Sequence, residues 1–184
     1  MDLDSKNINK PIVLVGMMGC GKSAVGMVLA NHLNLPFYDV DAYIVKSQGR
    51  AISDIFKKEG EEAFRRMEGK AISEILSRAP SVIACGGGAF TRIDNIEQVK
   101  ARGISIWIQS DVETIYARVK NNKKRPLLQV DDPKAALKGL IEKRSENYAL
   151  ADIHIENNHG IKNAVEKIIA ALEEYNNSRN DDGK

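Results

Sequence analysis

Eight residues near the N-terminus, Gly16-Met17-Met18-Gly19-Cys20-Gly21-Lys22-Ser23, have the spacing G-x-x-x-x-G-K-S, between a strand-like apolar run and a helical pattern. Glycines at this spacing let backbone N–H groups curl around phosphate oxygens. The lysine then reaches the terminal phosphates of a nucleotide, and the serine hydroxyl at the helix start is a ligand for Mg²⁺. Cys20 reads as a small loop filler rather than a nucleophile.

Two further stretches carry chemistry. The run at 81–84 leads into Cys85-Gly86-Gly87-Gly88, not into the aspartate that P-loop ATPases and GTPases carry at such a strand end. Three glycines leave open space and exposed N–H groups for a ligand, or else make a tight strand-to-helix turn. The missing acids stand at Asp39-Val40-Asp41, after the second apolar run. Ligands of parallel α/β sheets bind outside the carboxyl ends of the strands, so both carboxylates fall on the phosphate side. One can hold Mg²⁺ through water while the other faces an acceptor hydroxyl; the structural alternative is an N-cap for the helix that follows.

Positioning these groups requires strands and helices in alternation, and the hydrophobic periodicity supplies them. Strand patterns occupy 12–15, 36–38, 81–84, 104–108 and 153–155, and helical patterns 22–33, 61–78, 93–102, 111–120, 133–148 and 161–175. This order predicts parallel βαβ units in an α/β, three-layer sandwich around a five-stranded parallel sheet. Shorter helices are expected over 42–47 and from a Ser53 cap through Phe56, ended by Gly60. Residues 121–132, with basic residues and Pro126 between two helices, read as a mobile lid. Residues 176–184 contain no aliphatic side chain and are expected to fray.

The chain has 184 residues, enough for one domain over 1–184. Its 27 basic and 25 acidic residues leave a net charge of +2, which argues against a nucleic-acid binder, and 43% hydrophobic residues argue against disorder. Apolar runs fall far short of the roughly 20 residues of a membrane span, and residues 1–10 contain no apolar signal core, so a cytoplasmic protein without membrane contact is expected. Cys20 and Cys85 are expected to be reduced; His32, His154 and His159 lack metal-ligand spacing; Trp107 reads as core.

Taken in order, GMMGCGKS at 16–23, FYDVD at 37–41, IFKKEGEEAFRRME at 55–68, GGG at 86–88, RPLL at 125–128 and Arg144 with Tyr148 resemble shikimate kinase from Pro11 to about Tyr175. The resemblance implies a nucleoside-monophosphate-kinase-like P-loop fold that moves the γ-phosphate of ATP to the 3-hydroxyl of shikimate with Mg²⁺, as a monomer. It implies ATP contacts from Gly16, Gly19, Cys20, Gly21, Lys22, Ser23, Ala24, Arg118, which would stack on adenine, and Arg125, the lid arginine. Asp41 would engage the shikimate hydroxyls as base, Arg65 and Arg144 would bind its carboxylate, and Glu68 would orient Arg65. The Gly86, Gly87 and Gly88 backbone would close over the ring, and Ser23 and Asp39 would place the metal. Lys22, Asp41 and Arg125 form the implied catalytic set. The 156–160 loop departs from the family pattern in lacking its usual proline.

Independently of the resemblance, Arg65 stands i,i+3 from Glu68 and i,i+4 from Glu61, and guanidinium suits planar recognition of a carboxylate. Paired arginines argue against a neutral acceptor, as in a kinase resembling gluconate kinase. A GTP-dependent switch is disfavoured because no Asn-Lys-x-Asp segment occurs. A silent nucleotide-binding regulator would have lost a reactive residue.

Overall fold

A computed structural model of the chain describes residues 8–120 and 130–181. The first strand, β1 (Ile12–Val15), is apolar at every position and buried throughout. Such a strand must be covered on both faces, which is the situation of the middle of a parallel sheet. It pairs in parallel with β3 (Val82–Ala84) on one side and β4 (Ile104–Gln109) on the other. The strands β2 (Phe37–Asp39) and β5 (Ile153–Glu156) complete the parallel order β2-β3-β1-β4-β5. The strands expected from sequence all form, with bounds shifted by about one residue.

The helices that cover the sheet begin where their sequences provide caps. Asp39 accepts from the Ala42 N–H to open α2 (Val40–Gln48), which ends at Gly49 with φ 64°. Asp111 opens α5 (Val112–Val119), and Asp132 followed by Pro133 opens α6 (Pro133–Tyr148). The remaining helices are α1 (Lys22–His32), α3 (Ile52–Leu76), α4 (Ile93–Arg102) and α7 (Ile161–Asp181), with a 3₁₀ turn at Ala89–Thr91.

Three expectations are corrected. Ser53 does not cap a helix: α3 starts at Ile52 after an extended Ala51, with no side-chain cap bond. Gly60 does end the first helical segment, as expected: at φ 81° and ψ 173° it is non-helical, and α3 consists of two helical segments joined at this kink. Residues 176–181, expected to fray, continue α7, because a formed helix gains one hydrogen bond for each residue it adds and needs no aliphatic anchor to extend by a turn. Trp107 is half-buried rather than core, packed against Tyr148 and edge-on to His154. The expected lid falls outside the described residues over 121–129, and Arg125 with it. Among the described residues no helix is long and apolar enough to cross a membrane.

Candidate active site

The carboxyl ends of β1, β2 and β3 meet at a cavity of about 250 Å³ lined by the loop after β1, Asp39, Asp41 and the glycines after β3. Gly16, Gly19 and Gly21 take φ values of 137°, 77° and 102°, which L side chains rarely adopt, so the 16–23 loop depends on glycine for its path. That path delivers the chain into α1 with Gly21 as an N-cap that makes no side-chain bond. The first amides of α1 are therefore left as donors for an anion. Lys22, only 8% exposed, donates from Nζ to the Gly16 and Met17 carbonyls at 2.9 and 2.8 Å. Ala24 lines the cavity, and the buried Cys20 sulfur lies 3.7 Å from Lys22 Nζ, so Cys20 fills the loop as expected.

Asp39 is the N-cap of α2, the structural alternative considered for it, and it also binds Ser23. One carboxylate oxygen caps α2 at 3.1 Å, and the other accepts from Ser23 Oγ at 2.7 Å. Ser23 and Asp39 thus present two hard oxygens side by side on the cavity wall, a donor set suited to a small divalent cation that keeps several waters. Among the described residues no cluster of three His, Cys, Asp or Glu could hold a metal.

Opposite the loop, three helices converge on Gly86, Gly87 and Gly88. From α2, Asp41 Oδ1 lies 3.1 Å from where a Gly86 β-carbon would stand, and from α3 Glu68 Oε1 lies 2.8 Å from the same point. The Arg65 guanidinium packs so closely on Gly88 that a β-carbon there would sit 2.5 Å from Cζ. From α6, Arg144 Nη1 donates to the Gly87 carbonyl at 3.2 Å, and the Tyr148 hydroxyl donates to the same oxygen. Among the described residues the Gly86, Gly87 and Gly88 N–H groups reach no backbone acceptor. A side chain at 86 would press on Asp41 and Glu68, and one at 88 would displace the end of Arg65.

Charge is arranged in depth. Arg65 donates to Glu68 at 2.8 Å and to Glu61 at 3.1 Å. Burial works against its charge, but Glu68 and Glu61 outweigh burial and hold its pKa above the ordinary value. Glu68 is fully buried, and desolvation raises its carboxyl pKa despite the pull of Arg65. Burial likewise pushes Tyr148 up to about 12, leaving its hydroxyl a donor at neutral pH, and raises the Cys85 thiol, which is therefore no nucleophile.

Arg118, expected to stack on adenine, lies against the phosphate loop. Its guanidinium donates to the Gly19 and Cys20 carbonyls at 3.3 and 3.4 Å and to the Asn157 carbonyl at 3.1 Å. Two residues at the site were not singled out from sequence. Tyr148 appeared only as part of a pattern, and Asn157 only as a member of the 156–160 loop.

The family model for shikimate kinase matches residues 18–173. The chain belongs to the shikimate kinase family. Family membership makes it an ATP-dependent kinase of shikimate. It is 40% identical over 167 residues to a shikimate kinase of Ruegeria pomeroyi, covering 90% of this chain and 86% of that protein. Its structure is similar to that of a shikimate kinase from Acinetobacter baumannii in complex with shikimate, with a TM-score of 0.87 and 39% identity over 93% of this chain and 98% of that one. A gluconokinase from Sinorhizobium meliloti has a TM-score of 0.66 at 19% identity, over 96% of this chain and 99% of that one, a likeness of fold alone.

Proposed function

We propose that the cavity after β1, β2 and β3 is where the γ-phosphate of ATP passes to the 3-hydroxyl of shikimate, and that each side chain there has a separate task. One observation carries the reading: Asp41, Arg65 and Arg144, from three different helices, surround one glycine loop beside a nucleotide loop. Lys22 and the amides of 19–23 hold the phosphates, and Ser23 with Asp39 holds Mg²⁺, which when bound neutralises charge on the phosphate oxygens. Arg65 and Arg144 grip the acceptor carboxylate, fixing which hydroxyl faces Asp41, and Asp41 takes that hydroxyl's proton. Glu68 holds Arg65 in place, and Arg125 contacts the transferring phosphate from the 121–132 lid. The enzyme works as a cytoplasmic monomer, without nucleic acid or membrane.

The test is a coupled ADP-release assay with shikimate, its carboxamide analogue and gluconate. Arg65→Ala and Arg144→Ala should each cost roughly 1.5–3 kcal/mol in kcat/KM for shikimate, about one to two decades, with ATP KM nearly unchanged. Most of that loss should vanish with the carboxamide. Equal losses on the charged and neutral acceptors would show that these arginines do not read a carboxylate.

A further inference from the structure

A phosphate-binding loop works only if its N–H groups face the ligand, and a trans peptide points its carbonyl the opposite way from the N–H it contains. The outward carbonyls therefore need partners, and in this chain two of them find partners far away in sequence. Asn157, 1% exposed and directly after β5, donates from Nδ2 to the Cys20 carbonyl at 2.8 Å. Arg118 donates to the same carbonyl and to that of Gly19, and ties back to the Asn157 carbonyl, which also accepts from Ser110 Oγ at 2.9 Å. The Asn157 N–H is fixed on the Gln109 carbonyl at 2.7 Å, so the side chain is held from β4 as well.

We infer that Asn157 is a positioning residue for the nucleotide phosphates, acting through the Cys20–Gly21 peptide. With the Cys20 carbonyl held by Asn157, the Gly21 N–H of that same peptide is turned to the opposite side, and among the described residues it reaches no backbone acceptor. Two further observations fit. A β-carbon on Gly21 would lie 2.6 Å from Asn157 Nδ2, so the amide sits in space that only glycine at 21 leaves open. Among the described residues Asn157 Oδ1 is buried without a hydrogen-bond partner, a cost in stability that a residue serving only to fill the space would not carry. The 156–160 loop lacks the family's usual proline, and Asn157 in it faces the phosphate loop.

The inference rests on the nucleotide reading of the 16–23 loop, which wild-type turnover with ATP and shikimate tests separately. Asn157→Leu keeps a similar volume without the donor; Asn157→Asp keeps the shape but sets an oxygen against the Cys20 carbonyl. By calorimetry both variants should bind ADP about tenfold or more weakly, the loss of one well-formed bond. Shikimate KM and the ratio of kcat/KM for ATP over GTP should stay within about twofold of wild type, and ligand-free Asn157→Leu should melt no earlier than wild type. Should one variant fail to fold, the other carries the test. An ADP Kd within about threefold of wild type, an equal loss for shikimate, a changed ATP-to-GTP ratio, or failure of both variants to fold would overturn the inference.

Discussion

Asp41 and Glu68 approach the same point beside Gly86, yet the two carboxylates do different work. Asp41 is half-exposed at the cavity; as the proposed base, its change Asp41→Asn should lower kcat by about 10²–10⁴ while ADP affinity survives, because an amide keeps the shape and cannot take a proton. Unchanged kcat in that variant would remove the base. Glu68 is buried behind Arg65, and desolvation raises its pKa in the folded state. An acid raised in this way favours folding below its unfolded pKa and loses that contribution as pH climbs through the folded value. The unfolding free energy of wild type minus that of Glu68→Gln should therefore be most positive at acid pH and shrink as pH rises, measured in urea between about pH 3.5 and 8. A difference that grows with pH would mean that Arg65 dominates and that the carboxyl is lowered.

Two glycines at the level of elements separate conformation from space. Gly60 kinks α3 at φ 81° and ψ 173° with nothing near its missing side chain, so Gly60→Ala should cost about 1–3 kcal/mol of stability through the backbone alone. Gly88 has an ordinary φ of −97°, and its methyl would meet only the end of Arg65. Gly88→Ala should thus shift stability by less than about 1 kcal/mol while raising shikimate KM severalfold at constant ATP KM. Comparison of melting curves with acceptor kinetics for the two variants checks both, and the reverse pattern would refute them. The same contrast explains what the sequence made legible. Strand runs such as 12–15 and 104–108 showed because apolar residues bounded by turns announce themselves locally. Lys22, Ser23, Asp39 and the 86–88 glycines showed because chemistry and spacing coincide. Ser53 misled because a good cap residue is only a local preference, and α3 begins two residues earlier, on its buried Ile55 and Ile72 face. Asn157 was invisible because its partner is a backbone carbonyl 137 positions away, and no local pattern encodes that pairing.

On the scale of the whole molecule, strand order divides the labour. The central β1 has β3 and β2 to one side, which lead into the 86–88 glycines and Asp41, and β4 and β5 to the other, which lead into Ser110, Arg118 and Asn157, while Arg144 on α6 between β4 and β5 reaches across to Gly87. The phosphate loop leaves β1 at the crevice between the halves, where a doubly wound sheet offers room for a ligand.

That order has a consequence for a chain that is being made from its N-terminus. Neither β1 nor β2 pairs with the other; both wait for β3, which bonds to each of them. At 5–20 residues per second a ribosome takes on the order of 3–14 s to travel from the end of β1 to the end of β3. Throughout that interval an apolar Ile-Val-Leu-Val segment has no strand beside it, an edge open to association with other nascent chains. Chains stalled with only Leu76 clear of the ribosome should leave 12–15 open to protease, and protection should begin once Val82–Ala84 has emerged. Protection of 12–15 before that point would show that the segment finds shelter in α1 alone. The first strand translated, which bears the nucleotide loop, is therefore hostage to a strand made much later, and the vulnerable moment in this enzyme's life comes before it has an active site at all.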